Sequence, residues 1–149
     1  MSAPDTRTEI AQLLARQSTL TLATLEPSGR PMAASLFFAA DPRLNLYWTS
    51  SSKSRHSQNL SRDPRVAITV HTATWSWRDI SGVQFEGEAA EIAPGTDWQA
   101  ALDLYLSKFP FAKEFEAELS RSNFYRFTPR WGRLIDNSRG FGYKEEFSL

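Results

Sequence analysis

The chain contains no cysteine, which excludes a disulfide framework, thiolate metal sites and a cysteine nucleophile. It has only two histidines, His56 and His71, too few for a zinc or iron site built on histidine ligands. An excess of charge of one sign is also missing, because 17 Lys and Arg stand against 17 Asp and Glu. No broad electrostatic footprint for nucleic acid or an anionic membrane is therefore expected, although a local anion site is compatible with neutrality. No apolar run approaches the ~20 residues needed to span a bilayer as a helix. The stretch Met1–Arg16 lacks the basic segment and apolar run of a secretory signal, so the expectation is a soluble, cytoplasmic protein. No repeat, low-complexity tract or linker interrupts the 149 residues, and 1–149 reads as one domain, long enough to bury roughly two thirds of its unfolded surface.

Aromatic residues are abundant: ten Phe, five Trp and four Tyr. Most must fill a core, but such side chains also line flat-ligand pockets and oligomer interfaces. The apolar spacing predicts a first helix over Thr6–Gln17, with Thr6 and Glu9 as a capping box. Period-two alternation then predicts a strand through Leu20 and Leu22, closed by the turn signal Glu26–Pro31. Met32–Ala40 is almost wholly apolar and reads as a second strand covered on both faces. Leu44, Leu46 and Trp48 mark a third strand, and Lys53–Arg62 a short polar helix stopped by Asp63-Pro64. Val66, Ile68 and Val70 define a fourth strand, and Ile80–Ile92 a fifth, whose interior Gly87 implies a bend or close backbone approach. Thr96 and Gln99 suggest a second capping box, Pro110 ends one helix and opens another to Arg121, and Phe124–Phe127 and Arg133–Ile135 read as closing strands. Hairpins, short crossover helices and a late helical insertion point to a small antiparallel barrel of the α+β type, mainly β.

The segment Trp48–His56 carries the chemistry. It leaves a strand, collects the hydroxyls of Thr49, Ser50, Ser51 and Ser52, and sets Lys53 and Arg55 at a helix start. Unpaired N–H groups and a positive dipole end favour an anion there. An arginine fork beside a lysine point charge suits a phosphate dianion. For an isolated pair of cations a solvated turn would be the simpler explanation, so the flanking residues decide the matter.

Those residues occur in a characteristic order. Leu22-Ala23-Thr24-Leu25 is followed by Gly29-Arg30-Pro31, then by Trp48-Thr49, Lys53-Ser54-Arg55, Asn59-Leu60 and Asp63-Pro64-Arg65-Val66. This order resembles the flavin-binding split-barrel superfamily that includes pyridoxamine 5′-phosphate oxidase. The second half is similar to a short bacterial branch of that superfamily, through Gly82–Glu88, Lys108-Phe109-Pro110 and Asp136–Gly142. The likeness runs from about Gln12 to Lys144. It implies an antiparallel split β-barrel with short flanking helices, FMN as cofactor, and a homodimer that shares the cofactor site. By the same likeness Thr49, Lys53, Ser54 and Arg55 hold the flavin phosphate. Met32, Ala33, Ala34 and Ser35 line the ring, and Gln84 matches a family glutamine, although its offset from Gly87 differs.

The resemblance implies an FMN-dependent oxidoreductase of unknown substrate. The chain lacks the Arg-Leu-x-Pro ending of the B6 oxidases, so pyridoxamine phosphate is not the expected substrate. No general base stands out, and a flavin enzyme need not have one, because N5 of the ring accepts hydride itself. The alternatives are a deazaflavin in the same cleft, a flavin carrier or sensor without turnover, and a haem-binding barrel ligated by His71 or His56. His56 reads as a phosphate contact or a helix-surface residue, His71 as a solvent or interface residue, and Trp75 and Trp77 as loop or dimer-edge aromatics, with stacking on the ring as the alternative. Asp136–Lys144 reads as turn chemistry or as a cap over the cofactor, with Phe141 or Lys144 reaching it.

Overall fold

A computed structural model describes residues 5–149; of the stretch read for a secretion signal, residues 1–4 lie outside the described residues. The chain forms α1 (Thr6–Arg16), β1 (Thr19–Leu25), β2 (Pro31–Phe37), β3 (Ala39–Ala40), β4 (Leu46–Ser50), α2 (Arg55–Arg62), β5 (Arg65–His71), β6 (Ser81–Glu91), α3 (Thr96–Lys108), α4 (Glu116–Leu119), β7 (Asn123–Asp136) and β8 (Lys144–Ser148). All strand pairs are antiparallel, in the order β2-β1-β5-β6-β7-β4-β3, with β8 also on β7. The two ends of this sheet are consecutive in sequence. At Phe38 the chain leaves β1, donating its N–H to the Ser18 carbonyl (3.1 Å), and joins β4. The sheet is thereby curled into a split barrel of the α+β class.

The second strand departs from expectation. Met32–Ala40 is two strands rather than one, and β2 lies at the edge with Pro31, Ala33, Ser35 and Phe37 exposed. Continuous apolarity here does not mean cover on both faces within one chain, because the outward residues are mostly too small to draw another element onto themselves.

The barrel interior is filled by Leu20, Leu22, Leu46, Trp48, Ile68, Val70, Val83, Phe85 and Phe127, and α1 packs into the same cluster with Ile10, Leu13 and Leu14. An 11-residue helix is marginal alone. Burying these three side chains, at about 1.5–3 kcal/mol each, is what holds it. Its cap is Asp5, whose carboxylate accepts from the Thr8 N–H (2.7 Å), and not the Thr6–Glu9 box. Glu9 instead pairs with Arg139, 130 residues along the chain. A second cluster, including Ile92, Ala101, Leu102, Tyr105, Phe109 and Phe124, packs α3 on the outside of β4 and β7.

Helix α3 also starts differently, with Gly95 at φ 143° as its cap and Gln99 turned to Asp103. Lys108, at its end, donates to the carbonyls of Leu14 (3.0 Å) and Gln17 (2.6 Å) and lies 3.9 Å from the Phe38 ring centre. Desolvation there lowers its pKa to about 8. Lys108-Phe109-Pro110 is thus a clamp between α3 and the C-terminus of α1. Beyond it the predicted helix shortens to a 3₁₀ segment, Pro110–Phe115, and the single turn of α4.

The two closing strands are one. β7 runs 14 residues through Pro129. Proline is tolerated because it falls between the part of β7 paired with β4 and the part paired with β8, where that edge has no partner. Strand β8 is polar apart from Phe147, which packs edge-on to Phe85 (6.3 Å), so no apolar alternation announces it. Gly87 does mark irregularity: the β6–β7 register shifts between Glu86 and Gly87.

Candidate functional site

Helix α2 begins at Arg55, two residues later than the sequence indicates, so Lys53 lies in the exposed loop before it. Ser54 is the N-cap, accepting from the Ser57 N–H (3.3 Å). Among the described residues no acceptor is found for the amides of Arg55 and His56, which are two of the unpaired donors of a helix start. Lys53 and Arg55 put two cations beside them. The arrangement can hold a doubly charged oxyanion by charge-assisted hydrogen bonds.

Three side chains on one stripe of α2 dock it onto the end of β1. Arg55 pairs with Glu26, Asn59 donates to the buried Thr24 hydroxyl (3.0 Å), and Arg62 donates to the Leu25 carbonyl. Spacings of four and three residues keep them on one helix face. The Asn59-Leu60 match therefore has a structural use: Asn59 is a tether and Leu60 is core. Arg55 remains 71% exposed despite its partner. Glu26 is the residue that sequence reasoning missed, because the pair spans 29 positions and nothing local announces it.

The other face of α2 is turned inward. His56 is buried, and its Nε2 lies 2.8 Å from Ser50 Oγ and 3.2 Å from Ser54 Oγ. Of its two sequence-based roles, phosphate contact or helix surface, burial overturns the second. The ring is an internal hydrogen-bonding group, and desolvation lowers its pKa below the ordinary 6.5. The unfolded chain then binds the extra proton between the folded value and 6.5. This contribution to stability is full above the unfolded pKa and is lost as pH falls through the folded one. Urea melts of wild type and His56→Gln at about pH 7.5 and about pH 5.5 should show the smaller acid loss in the variant. Equal losses would remove His56 as the source.

The other predicted residues divide between places. Thr49 lies on β4 with its hydroxyl directed to Ser122 Oγ (2.8 Å) and the Asn123 carbonyl (3.0 Å), on the opposite side of the strand from Ser50. Met32 and Ala34 face inward and half-buried, with Met32 Sδ 3.6 Å from Asn59 Nδ2. Ala33 and Ser35 face outward. Among the described residues, the free edge of β2 leaves one row of its main-chain groups without a strand partner. Gln84 is outward on β6, in a row with Thr69, Thr21 and Ser35. Three strand steps separate it from β2, roughly 14 Å. The structure thus gathers Lys53, Ser54 and Arg55 around the α2 start near the β1–β2 turn, and leaves Thr49 and Gln84 apart from them.

A groove of about 490 Å³ opens on the outward sheet face beside that turn, with Ala23, Leu25, Pro31, Ala67, Glu86 and Trp131 among its lining. At the far end of the face Phe141 packs on Trp77 (5.7 Å), and Trp75 is fully exposed. His71 is exposed, its Nδ1 3.0 Å from the Thr72 carbonyl. Among the described residues no cluster of three His, Cys, Asp or Glu is placed to hold a metal ion, and no helix is long and apolar enough to cross a membrane.

A curled antiparallel sheet with a short cationic helix start beside its open edge defines the class of split barrels. Residues 6–136 match the family model described as pyridoxamine 5′-phosphate oxidase, and the chain belongs to that family. A UPF0306 protein of Yersinia pestis bv. Antiqua is 33% identical over 150 residues, covering 99% of this chain and 97% of the relative. Among solved structures, a haem-binding protein from Mycobacterium smegmatis superposes with a TM-score of 0.83 at 21% identity, covering 99% of this chain and 60% of the other. The haem storage protein HutZ from Vibrio cholerae superposes with a TM-score of 0.70 at 22% identity, covering 82% and 88%. At these identities the structural matches speak for the fold.

Proposed function

We propose that this chain binds FMN, with the flavin phosphate at the start of α2 and the ring along the free edge of β2, and that it serves as a flavin-dependent oxidoreductase. The observation that carries this reading is the pair Lys53 and Arg55, exposed beside two unpaired helix amides at the edge of a barrel of this family. The donor set fits a phosphate. The unpaired main-chain row of β2 fits the polar rim of a flat heterocycle, and the small outward side chains Ala33 and Ser35 let such a ring approach. A bound flavin would supply hydride or electron transfer. The chain's own part is to grip the phosphate and orient the ring.

The active form in this reading is a homodimer. The outward face carries Ala33, Ala23 and Ala67 in one row and Ser35, Thr21, Thr69 and Gln84 in the next. A second copy laid on that flat, small-residue surface would complete the ring site from the other side. Fluorescence titration should give FMN at least about tenfold tighter than riboflavin, since each charge-assisted contact is worth about 1.5–3 kcal/mol. Light scattering should give about twice the chain mass. Equal affinity for the two flavins would remove the phosphate site, and a strict monomer that still binds FMN tightly would remove the shared one.

One observation favours a second reading, haem binding through His71. Its Nδ1 contact to the Thr72 carbonyl directs the free lone pair to Nε2, the arrangement found in metal-ligating histidines. The visible spectrum of the purified protein separates flavin from haem.

A further inference from the structure

His56 has no part in the phosphate reading, yet its ring touches both ends of the cationic loop, whose two hydroxyls also lie 3.3 Å from each other. Ser50 is the last residue of β4 and Ser54 is the cap of α2. Both hydroxyls approach the same imidazole nitrogen, at 2.8 and 3.2 Å. The loop between them has few other ties: the Ser54 N–H to the Ser51 carbonyl (3.1 Å) and the Lys53 N–H to the Ser51 hydroxyl (3.1 Å). Ser51, Ser52 and Lys53 are exposed. Ser54 in turn donates to the Ser51 carbonyl (2.9 Å) and meets Ser57 Oγ at 2.7 Å. The ring itself is buried, at 9% relative exposure, and burial of a polar ring persists when its hydrogen bonds are made. Among the described residues, only the hydroxyls of Ser50 and Ser54 are placed to make those bonds at Nε2.

We propose that His56 is the positioning residue of the anion site. By drawing Ser50 and Ser54 onto one nitrogen it closes the Ser51–Lys53 loop into a single shape, and so aims the helix-start amides, Lys53 and Arg55 at one point. The proposal rests on the reading of that point as a phosphate site. Its distinctive consequence is that His56 acts on the phosphate increment alone, not on the flavin ring. A fixed loop presents its donors at no ordering cost, whereas a loose loop must be ordered when the anion binds.

The test is fluorescence titration of FMN and riboflavin with wild type, His56→Leu, His56→Gln and Ser50→Ala, each first checked by thermal melting. His56→Leu keeps volume without a hydrogen bond, and the side-chain amide of Gln offers both a donor and an acceptor to the same hydroxyls. Expected are a loss of FMN affinity of about tenfold in His56→Leu and Ser50→Ala, riboflavin affinity unchanged within about twofold, and restoration of most of the FMN affinity in His56→Gln. If His56→Leu fails to fold, the half-exposed Ser50→Ala carries the test. Folded variants that keep the wild-type preference for FMN would overturn the proposal while leaving the phosphate site standing. Equal weakening of both flavins would overturn it in favour of a general structural role. Wild type without any preference for FMN would bring down the phosphate site itself, and the proposal with it.

Discussion

Gly87→Val is expected to destabilise the fold by about 3 kcal/mol or more, the upper range for overpacking a filled interior. A Cβ at Gly87 would run into the Thr128 carbonyl oxygen and come within 2.8 Å of the Phe127 ring. The carbonyl belongs to the neighbouring strand at the register shift, so relief requires moving backbone, not rotating a side chain. A chain of this size loses about 2–4 °C of Tm per kcal/mol, which sets the expected drop at roughly 6–12 °C. Gly29→Ala is the control. Its φ of 85° strains an L-residue, but nothing lies within 4 Å of the added methyl, so the cost should stay near about 1 kcal/mol. Thermal melts of the two variants decide it. A Gly87→Val protein that melts with wild type would show that the two strands separate easily at this point.

Arg55→Ala should weaken FMN binding by roughly 10- to 150-fold, the equivalent of one charge-assisted contact of about 1.5–3 kcal/mol. The melting temperature without flavin should hardly move, because the guanidinium is 71% exposed and its pairing with Glu26 is screened by water. In excess FMN the wild type gains stability by mass action, and Arg55→Ala should gain much less. Glu26 makes the argument sharper. It pairs with Arg55 in this structure, and its side chain is far less exposed than that of Arg55. A phosphate arriving at Arg55 must share or displace that carboxylate. Glu26→Gln should therefore tighten FMN several-fold, opposite in sign to Arg55→Ala. Were Arg55→Ala instead to lower the melting point of the flavin-free protein and leave the FMN-induced shift intact, the cluster would be a structural tie between α2 and β1.

Much of this architecture is legible before any coordinates. The alternation of Leu20 with Leu22 and of Val66, Ile68 and Val70, and the turn at Gly29 are local signals, and each has its counterpart in β1, β5 and the β1–β2 turn. So is the Trp48–His56 segment, because hydroxyls and cations at a strand-to-helix junction are a statement about neighbours in sequence. The order of short motifs also points to the family that the model match then shows. What stayed hidden is mostly polar or non-local. Asp5 takes the cap from Thr6 because a cap depends on one residue's backbone angles. The strand β8 escapes notice because four of its five residues are polar.

By itself the sequence determined β1, β5, β6, the barrel class and the cationic helix start, since these follow from side-chain period and composition within short windows. Only the tertiary structure decided that β2 is an open edge, that Arg55 is held by Glu26 and His56 by Ser50 and Ser54, and that Gln84 lies three strands from β2. Edges, ion pairs across 29 residues and rows across a sheet are set by which strands become neighbours. That choice is made by burial of the whole barrel, and no single stretch of the chain contains it.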